Sequence, residues 1–391
     1  MDAVYADNNA STPVDPRVVE AMEPYFRDEF ANPNSLYGRA QNARKAVQKA
    51  RKQVAKLLNG KREEIVFTSC ATESNNYAIK GTAFARQDEG KHIITSKVEH
   101  KCVMNACRWL EKQGFDVTYL DVDEEGCVSL DDLEEELRDD TILVSIMMAN
   151  NEIGTIEPIQ GMAKIVHENS DAYFHTDAAQ IPGKMKLDVG ELGVDMATIN
   201  AHKMYGPKGI GALWIKNGLK IDPLLHGGGQ EKGRRSGTEN VPYIVGLGEA
   251  SEIARKEWKK DKKRLEKMTK RLVEGIESNI DNVILNGPRE DRLPGNVNFS
   301  FPGVEGEALV LRLDGKGIEV ATGSACGSET LEASHVLQAI GLEGGVAHSS
   351  LRISFGRFNT MEDVEKIIEE LPEIVQDLRS ITAMDDIDDC F

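Results

Sequence analysis

Seven short apolar runs punctuate the first 215 residues: IVFT (65–68), HIITS (92–96), DVTYL (116–120), ILVSIMM (142–148), YFHTD (173–177), MATI (196–199) and GALWI (211–215). Helical periodicity fills many of the gaps, at 73–86, 101–113 and 160–169. Short, nearly continuous apolar runs read as strands buried on both faces. Their alternation with helices predicts an α/β fold with a mostly parallel, seven-stranded sheet covered on both sides. A longer helical pattern, roughly 243–279 and rich in Lys and Glu, reads as a bridge to a second unit. Beyond it, the strand-like runs NVNFSF and EALVLRL and a helical pattern at 360–379 predict a smaller α+β domain. The expected division is a large domain at 16–256 and a small one made of 1–15 and 257–391. The first 15 residues hold no full element and are expected to pack across both.

The length, 391 residues, agrees with two domains rather than one core. The net charge of −18 argues against nonspecific nucleic-acid binding, which needs a basic surface. No run of about 18 apolar residues predicts a membrane span, and MDAVYADNNAS has neither the basic nor the apolar part of a signal or transit peptide. The expected location is cytoplasmic. The six cysteines form no C-x-x-C pair, which argues against a zinc ribbon or thioredoxin-like site, and no metal is expected. Cys326 stands apart. It lies in ATGSACGSET, among small residues that cannot build a core around it, whereas a structural cysteine packs as a small hydrophobe.

In a parallel sheet, ligands collect beyond the strand C-termini. HTDAAQ places Asp177 at such an end, and NAHKMYGPKG places His202 and Lys203 just after another. In SCATESNN, Ala71 and Thr72 follow a strand and open a helix, whose free N–H groups suit a phosphate. VEH ends in His100, a ring able to stack on a flat cofactor. Taken singly, each has an ordinary role: a helix cap for Asp177, a solvated amine for Lys203, a packed imidazole for His100. Together they are what a pyridoxal phosphate site needs, with a lysine for the Schiff base, a carboxylate for the pyridinium nitrogen and a phosphate cradle.

At this point the sequence resembles the group I cysteine desulfurases, of the NifS/IscS type, in fold-type I of the pyridoxal phosphate-dependent transferases. The resemblance runs from YADNNASTPVDPRV through TSCATESNN, HIITSKVEH, MANNEIGTIEPI, HTDAAQ, AHKMYGPKGIGAL, GGGQEKGRRSGTEN and ATGSACGSETLEASHVL to SSLRISFGRFNT. It implies pyridoxal 5'-phosphate as cofactor and conversion of L-cysteine to L-alanine, with sulfur carried as a persulfide on Cys326. It implies Lys203 as the Schiff-base lysine and the base at Cα, Asp177 as partner of the ring nitrogen, and His100 as the stacking residue that moves protons. Gln180 and Asn151 would lie near the phenolic oxygen and the substrate. Ala71, Thr72 and His202 would hold the phosphate, with Thr238 reaching across from the second subunit of a homodimer. Arg352 would clamp the substrate carboxylate, as a planar guanidinium can do bidentately. The small residues around Cys326 would let the thiol travel to an outside acceptor, such as an iron–sulfur scaffold protein.

The sequence departs from the family at two places. Asn200 stands three residues before the lysine where many members have a phosphate-contacting serine, and Cys70 stands where many have glycine. The rival readings are a selenocysteine lyase or aminotransferase on the same scaffold, and a non-enzymic sulfur-delivery scaffold. The last would have little use for Lys203, Asp177, His100, Arg352 and Cys326 together.

Overall fold

The structure, a computed structural model, describes residues 3–323 and 333–388. Its strands are β1 (Val4–Tyr5), β2 (Ile65–Thr68), β3 (His92–Ser96), β4 (Asp116–Leu120), β5 (Thr141–Ser145), β6 (Tyr173–Asp177), β7 (Met196–Asn200), β8 (Gly211–Ile215), β9 (Ile284–Leu285), β10 (Asn296–Ser300), β11 (Ile318–Glu319) and β12 (Ser350–Ser354). β2 to β8 form one seven-stranded sheet in the order β2-β8-β7-β6-β5-β3-β4. From β4 to β7 every pairing is parallel, while β8 runs antiparallel to both neighbours. The reversal follows from the link after β7. It is too short for a helical crossover, so the chain turns back through the one-turn helix Ala201–Lys203 and Tyr205, whose φ is 65°.

Alternation along the strands divides the core in two, because successive side chains point to opposite faces. Ile65, Phe67, Ile94, Ala212 and Trp214 pack with the helices Gly38–Leu57 and Ile159–Asn169. Val66, Ile93, Leu213 and Ile215 pack with the helices Ala71–Ala85 and Lys101–Glu111. The helix Val241–Asn279 joins the first of these to a separate core, burying Val241 to Ala254 in the one and Leu265 to Ile276 in the second. That second core is built on the antiparallel sheet β12-β10-β9 and the helices Gly306–Asp314 and Met361–Asp388. Where the long helix crosses Gly38–Leu57, Gly248 is necessary. A Cβ there would stand 2.6 Å from the Cα and Cβ of Ala50.

All seven expected strands of the main sheet are present, with differences elsewhere. EALVLRL is not a strand but lies in the helix Gly306–Asp314. Leu309 and Leu313, four apart, are buried while Leu311 is 72% exposed, which is helical and not alternating burial. ILVSIMM leaves the ladder at Ser145, although the N–H groups of Ile146 and Met148 still reach the carbonyls of His175 and Asp177. The N-terminal residues do form a short element, β1, parallel to β11. Among the described residues no helix is long and apolar enough to cross a membrane.

Candidate active site

The strand directions bring one set of ends together. β2 and β7 both run antiparallel to β8, and Gly211 opposes Thr68 on one side and Asn200 on the other. The chain leaving β2 therefore passes beside the chain leaving β7. Gly211 permits this approach: a Cβ there would sit 3.0 Å from the carbonyl carbon of Cys70. Ala71 and Thr72 open a 15-residue helix that no side chain caps, leaving its first N–H groups for an anion. Asn200 ends β7, and its buried Oδ1 has no hydrogen-bond partner among the described residues. His202 follows, with Nδ1 3.3 Å from the Ser11 hydroxyl. Burial, with Lys203 and Lys208 nearby, pushes its pKa down to about 4, so the ring is neutral near pH 7.

Asp177 closes β6, parallel to β7. Its carboxylate accepts from the Asn75 amide at 2.6 Å and from the Ala179 N–H at 3.0 Å. Both donors are neutral, so the charge is solvated without being cancelled and can pair with a cationic ring nitrogen. His100 caps the helix Lys101–Glu111. Its Nδ1 accepts from the Cys102 N–H at 3.2 Å and lies 2.9 Å from the Cys102 sulfur. Burial pushes the Cys102 thiol up to about 12, so it stays protonated and can donate to Nδ1. Nε2 is then the ring nitrogen that carries the proton. Burial also holds the His100 pKa below the ordinary value, against the pull of Asp177.

The N-terminal segment stitches these parts together. Lys203 Nζ donates to the carbonyls of Asn9 and Ala10. The Asn9 side chain donates to the Asn151 carbonyl at 3.1 Å and accepts from Lys184 at 2.6 Å. Gln180 donates to the Asn9 carbonyl at 3.1 Å. Asp7 accepts from Arg352 Nη2 at 2.7 Å. Arg352 rises from β12 in the smaller sheet, is 3% exposed, and has its buried Nε without a partner among the described residues. A buried donor left open is costly unless something fills it, and a planar guanidinium with an open N–H suits a carboxylate.

Lys203, Asn151, Gln180, Asp177, His100 and Arg352 are therefore linked by shared partners and neighbouring charges around residues 7–10, beside the Ala71, Thr72, Asn200 and His202 end of the sheet. These donors and charges fit pyridoxal phosphate: amine, ring-nitrogen partner and anion cradle are all present. Thr238 is exposed and, among the described residues, makes no hydrogen bond to these groups; nearby Arg235 pairs with Glu73 on the helix Ala71–Ala85. Cys326 lies outside the described residues. Sequence reasoning missed Asp7, Asn9, Asn75 and Lys184. Asn9 stands in YADNNAS, a stretch noted only for its likeness, and nothing in MKLDV signals that the preceding Lys184 is buried.

Comparison with known proteins agrees with this geometry. The aminotransferase class-V family model matches residues 4–367. A cysteine desulfurase IscS of Methanosarcina thermophila is 53% identical over 382 residues, 98% of this chain and 94% of that one. A solved NifS-like protein superposes with a TM-score of 0.90 at 42% identity, covering 96% of this chain and 99% of its own. A solved SspA in complex with cysteine gives a TM-score of 0.80 at 40% identity, covering 91% and 100%. The chain thus belongs to the aminotransferase class-V family, among the cysteine desulfurases of the NifS/IscS type.

Proposed function

We propose that this protein is a pyridoxal phosphate-dependent cysteine desulfurase that converts L-cysteine to L-alanine and passes the sulfur to an acceptor. The observation that carries the reading is Lys203 and Asp177 at adjacent strand ends, joined through the N-terminal segment to the buried Arg352. When bound, the cofactor supplies an electron sink joined to the substrate nitrogen. Asp177 holds the ring nitrogen's charge. The N–H groups of Ala71 and Thr72, with Asn200 and His202, hold the phosphate. Arg352 binds the substrate carboxylate, with Asn151 beside it, while Gln180 faces the phenolic oxygen. Lys203 would hold the cofactor and, as a free amine, would take the Cα proton. His100, with its proton on Nε2, would pack against the ring and move protons. The thiolate of Cys326 attacks the substrate sulfur. A sulfur–sulfur bond forms as the carbon–sulfur bond breaks, and the carbon fragment takes up one proton at Cβ and regains one at Cα to leave as L-alanine.

The same reading makes residues 16–256 the cofactor-binding domain, and 1–15 with 257–391 the domain that carries Cys326. It makes the protein a cytoplasmic homodimer in which Thr238 reaches the other copy's phosphate, and an iron–sulfur scaffold protein the acceptor. The test uses the holoenzyme with L-cysteine and a reductant. Alanine and sulfide should form in equal amounts. Cys326→Ser should keep the visible cofactor band and release no sulfide, and Lys203→Ala should lose the band. Normal sulfide from Cys326→Ser, or an unchanged spectrum in Lys203→Ala, refutes the assignment.

A further inference from the structure

Lys184 is a buried lysine to which the reaction gives no role. It follows β6 by seven residues, and its Nζ donates to Asn9 Oδ1 at 2.6 Å and to Gln180 Oε1 at 3.1 Å. Neither is a carboxylate, so this is not an ion pair. A lysine only donates, and a carboxamide has one accepting and one donating end. The contact therefore fixes which way both amides face. Gln180 must turn Oε1 to Lys184, which leaves Nε2 on the Lys203 side. There it donates to the same Asn9 carbonyl that accepts from Lys203. Asn9 likewise must turn Nδ2 to the Asn151 carbonyl.

We infer that Lys184 is a positioning residue that locks the Gln180 carboxamide with its N–H end, not its oxygen, toward the cofactor's phenolic oxygen. The inference rests on the cofactor reading above. Its physical content is a sign. An N–H stabilises a phenolate, whereas an amide oxygen in the same place repels it. Burial, helped by the charges of Lys203 and Arg352, pushes the Lys184 pKa down to about 7. The ammonium form can only donate, which makes the lock complete; a neutral amine keeps two N–H groups for its two acceptors but gains a lone pair, and the amide orientations are then held jointly with the bonds from Gln180 Nε2 to the Asn9 carbonyl and from Asn9 Nδ2 to the Asn151 carbonyl.

The test is a double-mutant cycle read on the absorbance of the holoenzyme without substrate. The measured quantity is the pH midpoint at which the cofactor's visible band titrates. Losing the N–H makes the phenolic oxygen more basic and strengthens its hold on the imine proton. Lys184→Met and Gln180→Ala should each raise the midpoint by about one to two pH units, the size of one hydrogen bond to a charged group. If Lys184 acts through Gln180, the double variant shifts no further than the larger single shift. Additive shifts overturn the inference, since they would mean that Lys184 acts by charge alone, and so does an unmoved midpoint in Lys184→Met. If Lys184→Met does not fold, Lys184→Ala takes its place in the cycle under the same criterion. Wild-type protein that takes up no pyridoxal phosphate fails the cofactor reading itself, and this is seen before any variant is compared.

Discussion

Replacing Glu152 with Gln should make the protein more stable at pH 8 and leave it nearly unchanged at pH 5. Glu152 is buried, with Oε2 accepting from the Ser334 hydroxyl at 2.5 Å. A Cβ on Gly323 would come within 2.9 Å of the same oxygen. The carboxyl is thus wedged between residues 323 and 334. Burial pushes its pKa from 4.5 up to about 7, against the pull of Ser334, Arg352 and Lys101. The folded state therefore holds a proton that the unfolded chain has released across the window from 4.5 to 7. The stability this contributes is complete below 4.5 and is lost as pH rises through 7. The loss between pH 5 and pH 8 comes to about 2.5 kcal/mol. Gln has nearly the same shape, can accept from Ser334 and does not titrate. Urea unfolding of both proteins at the two pH values, followed by near-ultraviolet circular dichroism, reads the difference directly. The advantage of the variant should grow by about 2.5 kcal/mol from pH 5 to pH 8. A change under about 0.5 kcal/mol would refute the neutral buried carboxyl. A change of opposite sign would show that Arg352 and Lys101 hold Glu152 ionised.

Two further perturbations test the packing. Arg357 lies buried between Asp15 at 3.2 Å and Asp261 at 3.1 Å, its guanidinium 4.5 Å above the Tyr205 ring. Arg357→Met leaves both carboxylates short of a partner and should cost about 3 kcal/mol in urea unfolding, the lower end for a broken buried pair because Arg17 still bonds Asp15. A loss below about 1 kcal/mol would show the network contributes little. Gly248→Ala gains about 1 kcal/mol of helix propensity but forces a Cβ onto the backbone of Ala50. Overpacking costs about 1–3 kcal/mol, so a net fall in the thermal midpoint is expected, and a rise would mean that the helices can part without loss.

The main sheet was legible because its strands are buried on both faces and read as apolar runs flanked by polar strand ends. The same logic misread EALVLRL. Five of its seven residues are apolar, which hides the four-residue spacing of Leu309 and Leu313, and only the exposure of Leu311 reveals the helix. The strand-end residues Asp177, His202 and Lys203 were legible for a related reason: a polar group closing or following a buried run marks the end of a strand, where ligands collect. Lys184 and Asn9 were not, since their meaning lies in contacts between segments 175 residues apart. Asp7 was hidden in the same way, 345 residues from Arg352. Among the described residues Thr238 has no hydrogen bond that ties it to the cofactor groups, which is why a single chain leaves its role to the proposed dimer.

The helix Val241–Asn279 has a mechanical consequence. Its 39 residues make a rod about 58 Å long. One half is rooted in the core beneath the large sheet and the other in the core of the small one. A rod clamped at both ends leaves no soft joint, so neither part can tilt far without bending it or tearing buried side chains from their seats. Any movement of one core against the other must therefore bend this helix, so local adjustment around Lys203 and Arg352 falls to side chains and short connecting segments.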